Sequence, residues 1–222
     1  MRTTVLKLVE DLSRAATFPE PVFEFGARRA EGQEHLPAIA SMFPNVHFVG
    51  ADMQPGPGVD QLEDLHALSL PDDSIGTVLL LDTIEHVREP WRAVEEIARC
   101  LKPGGILVMT SVMYFPVHAH PEDYWRFTEK GFGVLVDGLD PIVVQAVGHP
   151  DLPHTLAAVA SKGPIEPGLR ATLAATVRSW AATDATSWKE RALMLLPPIV
   201  IAPAYRVYGS LQTRRNRNRF PN

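Results

Sequence analysis

Two apolar runs bracketing a helical stretch do most to restrict how this chain folds. Thr77-Val78-Leu79-Leu80-Leu81 leads into the polar segment Asp82-Thr83-Ile84-Glu85-His86-Val87. A helical pattern follows from Trp91 to Leu101, and Pro103-Gly104-Gly105 then launches a second run, Ile106 to Met109. In order these read as strand, loop, helix, tight turn and strand, which is a βαβ unit. Open α/β sheets bind ligands outside the carboxyl ends of their strands, so Asp82–Val87 marks the edge where chemistry is expected.

The flanking sequence extends the same alternation. Pro21–Gly26 and Val46–Gly50 read as strands, Glu34–Phe43 as a helix, Pro55-Gly56-Pro57-Gly58 as a rigid turn and Leu62–Leu68 as a short, weak element. Thr128–Asp137 reads as a helix with Thr128 as N-cap and Gly138 past its end. Ile142–Val147 and Thr155–Ala160 are strands that form an antiparallel hairpin at one sheet edge. At 222 residues the chain suits one α/β domain with a short appendage.

A net charge of −5 gives no general reason to expect nucleic-acid binding. The single cysteine, Cys100, falls inside a helical pattern and reads as a packed thiol. Glu10 and Asp11 interrupt any leader-like apolar core, and prolines break the stretch Ala192–Tyr205, so a cytoplasmic, soluble protein is expected.

Past Lys162 the texture changes. Residues 1–163 read as the sheet domain and residues 164–222 as a helical appendage with a basic tail, in which six arginines follow the last acid, Glu190. The stretch Leu193–Tyr208 with its arginines has two readings. One is peripheral contact with an anionic membrane surface. The preferred one is a helix pair that covers the acceptor pocket or a homodimer face.

Three loops at the carboxyl edge carry the candidate site. Gly26 directly follows the first strand, where a ligand approaches the backbone closely, and Ala27-Arg28-Arg29 continues the loop. This is neither a dinucleotide fingerprint nor a phosphate loop, which favours a smaller nucleoside. Asp52, with Met53 beside it, follows the second strand, where a carboxylate accepts from both ribose hydroxyls. Asp64-Leu65 follows the third element, where an acid accepts from an adenine amino group and Leu65 covers the ring. Each acid also has a plain structural reading, as a turn residue or a solvated charge.

These pieces resemble the class I S-adenosylmethionine-dependent methyltransferases, in the small-molecule branch. The resemblance rests on Glu24-Phe25-Gly26, Asp52, Asp64-Leu65, Leu70-Pro71-Asp72-Asp73-Ser74, Asp82–Val87 and Leu101-Lys102-Pro103-Gly104-Gly105. The run His118-Ala119-His120-Pro121-Glu122-Asp123-Tyr124-Trp125-Arg126-Phe127-Thr128 is similar to a bacterial subgroup whose members often accompany sugar, glycan or natural-product biosynthesis. The resemblance implies a Rossmann-like, doubly wound, mostly parallel seven-stranded sheet with an antiparallel edge strand. It implies S-adenosyl-L-methionine as cofactor, with Glu24, Gly26, Ala27 and Arg28 near the methionine moiety, Asp52 and Met53 at the ribose, and Asp64 and Leu65 at the adenine. Asp82 and Thr83 then face the methionine part and the acceptor pocket.

The expected reaction is methyl transfer to an O or N atom of a small molecule, sugar or glycan precursor. Because Ala27-Arg28-Arg29-Ala30 stands in place of the family's glycine-rich run, the alternative is a degenerate cofactor-binding module acting as a non-catalytic partner. A hydroxyl acceptor benefits from a base, for which His118, His120 and His86 are candidates, each with an alternative role in fixing its loop. Tyr124, Trp125 and Arg126 are candidates for walling the acceptor and holding an acidic group on it. Equally, Trp125 packs the loop and Arg126 pairs with Asp123. No metal is expected: His118-x-His120 with Asp123 lacks further local support.

Overall fold

The computed structural model describes residues 2–29, 38–118 and 122–183. Residues 184–222, with the basic tail and the membrane-or-dimer question, lie outside them, as does His120.

Helix α1 (Thr3–Ala15) opens the fold, followed by β1 (Val22–Phe25), β2 (Phe48–Asp52), β3 (Gln61–Leu62) and β4 (Ile75–Leu81). Then come α2 (Pro90–Cys100), β5 (Leu101–Val112), α3 (Glu129–Leu135), β6 (Asp140–His149), β7 (Leu152–Ser161) and α4 (Pro167–Thr183). The strands form one seven-stranded sheet in the order β3-β2-β1-β4-β5-β7-β6. All neighbours from β3 to β5 are parallel. β7 runs antiparallel between β5 and β6, which places the expected hairpin at that edge.

Alternation along the central strands divides the core into two layers. Val78 and Leu80 of β4, with Leu107 and Met109 of β5, pack under α2 and α3. Leu79 and Leu81, with Ile106 and Val108, pack under α1 and α4. β4 is buried along its whole length, which explains an apolar run without polar alternation. Each such side chain contributes about 1.5–3 kcal/mol on leaving water. Cys100 is part of the first layer, buried at the end of α2, and burial raises its thiol pKa.

Several sequence expectations shift. α1 was not expected at all, although Val5, Leu6, Leu8, Val9 and Leu12 line its buried face at helical spacing. Instead of a helix over Glu34–Phe43, the described part is a short 3-10 turn, Ile39–Met42, followed by Pro44 and by Asn45 at φ 63°. β2 is displaced toward its carboxyl end, because pairing with β1 aligns Phe48 with Val22 and Ala51 with Phe25, so Asp52 is itself a strand residue. Pro103-Gly104-Gly105 is not a turn ahead of the strand. It is an irregularity within β5, where pairing to β4 shifts and Gly104 takes φ 77°. Across the 163/164 boundary, α4 packs on the sheet: Trp180 is buried and donates to the Thr4 carbonyl, and Arg170 pairs with Asp140. Thr128 caps α3 as expected, accepting from the Gly131 N–H. Among the described residues no helix is long and apolar enough to cross a membrane.

Candidate cofactor and acceptor site

Strand order reverses between β1 and β4, and a cavity of about 560 Å3 opens at their carboxyl ends. It is lined by the loops after β1, β2, β3 and β4, with the segment after β5 closing one side.

On the β1 side, Gly26 takes φ 79°, and an added Cβ would stand 2.3 Å from Thr83 Oγ1, so only glycine fits where the loops after β1 and β4 touch. Gly26 and Ala27 both donate to the Ala51 carbonyl. Asp52 accepts from the Arg28 N–H at 3.2 Å and the Gln54 N–H at 3.0 Å. The Arg28 guanidinium donates to Gln54 Oε1, its stem lies against Gly56, and the Arg29 N–H bonds the Pro57 carbonyl. Glycines of the facing Pro55–Gly58 turn therefore provide the close approach that the first loop lacks. Gly50, where a Cβ would sit 2.1 Å from the Gly58 carbonyl, completes this packing. Glu24 is buried at the cavity floor, and burial pushes its carboxyl up to about 7.

After β3, Glu63 is buried and accepts from the backbone and hydroxyl of Ser69. Asp64 is half-exposed. The His66 N–H, then the His66 ring, hold its pKa below the usual range.

On the β4 side, Asp82 stands at φ 48° and takes a two-pronged ion pair from Arg2, at 2.8 and 2.6 Å, with Thr110 Oγ1 as a further donor. Burial alone would raise its pKa, but the guanidinium keeps it low. Arg2 also bonds Thr155 Oγ1 and lies 5.9 Å from the Phe115 ring centre. Thr83 Oγ1 donates to the Phe25 and Leu81 carbonyls. Glu85 is fully buried: Ser111 Oγ donates to Oε2 at 2.9 Å, and Oε1 has no hydrogen-bond partner among the described residues. Burial, then the charge of Asp82, raise its pKa to about 8.

The segment after β5 is fastened to this loop. Tyr124 and Trp125 donate backbone N–H groups to the Glu85 carbonyl, Trp125 Nε1 donates to the Val87 carbonyl, and the rings of Trp125 and Trp91 meet edge-on. The His86 and His118 ring centres are 4.8 Å apart. Burial, then the neighbouring His86, lowers the His118 pKa. The His118 N–H and the fork of Arg126 converge on Asp123. Its pKa, which burial alone would raise, is held at about 2.

All ten residues selected for the cofactor line the cavity: Glu24, Gly26, Ala27 and Arg28 at the end of β1, Asp52 and Met53 at the end of β2, Asp64 and Leu65 after β3, and Asp82 and Thr83 after β4. His86 and His118 line it too. Tyr124, Trp125 and Arg126 do not; Trp125 packs the loop, Arg126 pairs with Asp123, and Tyr124 is exposed. Sequence reasoning missed Arg2, which reaches Asp82 from the far end of the described chain and left no local signal.

Residues 44–109 match the family model described as a methyltransferase domain. A 27-O-demethylrifamycin SV methyltransferase of Amycolatopsis mediterranei is 33% identical over 35% of this chain, a stretch that spans only 29% of that relative. The solved 1,6-didemethyltoxoflavin-N1-methyltransferase of Burkholderia thailandensis, with bound S-adenosylhomocysteine, superposes with a TM-score of 0.57 at 16% identity, covering 73% of this chain and 79% of that one. The sheet domain has the methyltransferase fold. The same methyltransferase fold is matched by the solved [4+2]-cyclase SpnF, with a TM-score of 0.53 at 14% identity over 72% of this chain and 81% of that one. In the methyltransferase fold the cavity thus has its topological place, and its side chains have to carry the functional argument.

Proposed function

We propose that this chain is an S-adenosyl-L-methionine-dependent methyltransferase acting on an O or N atom of a small molecule, sugar or glycan precursor. The observation that carries the reading is the placing of Glu24, Gly26, Asp52 and Asp64 around one cavity at the carboxyl ends of successive parallel strands. A nucleoside fits these residues. Each Asp52 oxygen takes one backbone N–H, and a carboxylate has about four lone-pair sites, so both ribose hydroxyls find acceptors. Asp64 receives its hydrogen bonds at Oδ1, leaving Oδ2 for an adenine amino group. Glu24 would meet the ammonium of the methionine part, whose charge favours the ionised carboxylate.

When bound, the sulfonium supplies both the methyl electrophile and its leaving group. The protein's own task is alignment and exclusion of water. Gly26 against Thr83 fixes the distance between the loops after β1 and β4. His118 and His86 border the cavity as candidates for taking the acceptor's proton, which supports their reading as bases.

A titration with S-adenosylhomocysteine, run beside NAD, tests the cofactor; stabilisation by NAD alone would overturn the proposal. Because the fold also carries a cyclase, transfer of label from methyl-tritiated cofactor to an acceptor library must be read as well. Binding without transfer would favour a non-catalytic module.

A further inference from the structure

Glu85, His86 and His118 form a group that the methyl-transfer reading uses only in part. We infer that these three side chains bind one first-row divalent cation, zinc by its donor set. One ligand atom from each lies within 4.8 Å of the others. Ligands on a zinc ion at about 2.1 Å stand roughly 3–4 Å apart, so a small side-chain adjustment closes the set.

Three further observations point to a cation. Glu85 Oε1 is a buried oxygen with no hydrogen-bond partner among the described residues, although Ser111 satisfies the other oxygen. An acceptor left unmade in the interior is costly, and a positive ion supplies what it lacks. The histidines carry the outer contacts typical of metal-bound imidazoles. His86 Nδ1 lies 2.5 Å from the Glu122 carbonyl, and His118 Nδ1 lies 3.2 Å from the Pro116 carbonyl and 3.2 Å from Asp123 Oδ2. An Nδ1–H given to an oxygen fixes the tautomer with its lone pair on Nε2. Finally, the frame is set in advance. Glu85 and His86 share one 3-10 turn, and the Tyr124 and Trp125 N–H groups pin the His118 segment to the Glu85 carbonyl.

This set differs from the local His118-x-His120 and Asp123 pattern, because Arg126 engages both oxygens of Asp123. Two histidines and one carboxylate leave a zinc ion a fourth position, as in catalytic zinc sites. All three ligand residues line the cavity, so that position suits an acceptor oxygen. The cation would then acidify a hydroxyl directly, with the histidines as ligands in place of bases. This last role rests on the methyl-transfer reading; cation binding does not.

The full, untagged chain, stripped with chelator, is titrated with Co2+ and the visible bands of the bound ion are read; Zn2+ is then added in competition. One equivalent of Co2+ is expected to give four-coordinate bands that Zn2+ abolishes. Glu85→Gln and His118→Gln are each expected to weaken binding roughly tenfold or more, while the remote His149→Gln leaves it unchanged. Circular dichroism establishes that each variant is folded. Absence of bands at one equivalent, equal loss in His149→Gln, or full binding by folded Glu85→Gln and His118→Gln would overturn the inference. S-adenosylhomocysteine is titrated into the same samples, so failure of the metal site and failure of the cofactor reading give separate results.

Discussion

The carboxylates around this cavity are held in two different ways. On the β2–β3 side, Asp52, Asp60, Glu63 and Asp64 each accept at least one backbone N–H from a nearby residue: Arg28 and Gln54, Gly50, Ser69 and His66 respectively. On the β4 side, Asp82 depends on a guanidinium from residue 2, and Glu85 has one oxygen on Ser111 and the other without a partner among the described residues. Backbone donors are fixed once the strands pair, so the first side is complete without a ligand. The second side is assembled from distant side chains and leaves one buried oxygen, Glu85 Oε1, unbonded among the described residues. A nucleoside frame needs the first property, and an acceptor pocket needs the second.

The junction of the two sides gives the largest expected effect. Gly26→Ala should cost about 3 kcal/mol or more in urea denaturation, since strain at positive φ adds to the clash with Thr83. Adding Thr83→Ala should recover the steric part. A double variant no more stable than the single one would show that the sides do not bear on each other there. Next, Arg2→Ala should cost about 3 kcal/mol by leaving Asp82 buried and unpaired, whereas Lys7→Ala, at an exposed pair, should change stability by under about 0.5 kcal/mol. Similar values for the two would erase the distinction between a side-chain-dependent floor and an ordinary surface.

A pH series sharpens the comparison further. Glu24 ionises near 4.5 when unfolded and near 7 in the fold. Between these values the native state keeps a proton that the unfolded chain has lost, so stability falls as pH rises and levels off above 7. Glu24→Gln should remove about 3 kcal/mol of that decline, measured as unfolding free energy from pH 4.5 to 8. An unchanged slope would mean that Glu24 is not buried as described. The smallest effect is expected on the amide-bound side. Asp52→Asn turns one acceptor into a donor facing the Arg28 and Gln54 amides and should cost about 1–2 kcal/mol. Calorimetry should also show roughly tenfold weaker S-adenosylhomocysteine binding, since a ribose acceptor is lost.

The comparison also explains what could be read from the residues. The β2–β3 side was legible because its chemistry is local: Gly26 follows β1, Asp52 is the last residue of β2 and Asp64 stands just past β3, each at the carboxyl end of its strand. The hairpin around His149–Pro153 and the Thr128 cap were legible for the same reason. Arg2–Asp82 joins residues far apart in sequence, and the Glu85–His86–His118 group joins two loops, so neither has a spacing to detect. The helix over Thr3–Ala15 does have a signal, in the helical spacing of Val5, Leu8, Val9 and Leu12. At Tyr124, Trp125 and Arg126 the residue types suit either packing or recognition, and only the tertiary contacts to Val87 and Asp123 separate the two.

Trp180 of α4 grips the Thr4 carbonyl, and Arg2, just ahead of the same helix, grips Asp82. The two grips lie two residues apart, so Trp180 of α4 anchors the same end of α1 from which Arg2 reaches the cavity. Seating of α4 on the sheet and neutralisation of Asp82 therefore meet at one short stretch of backbone.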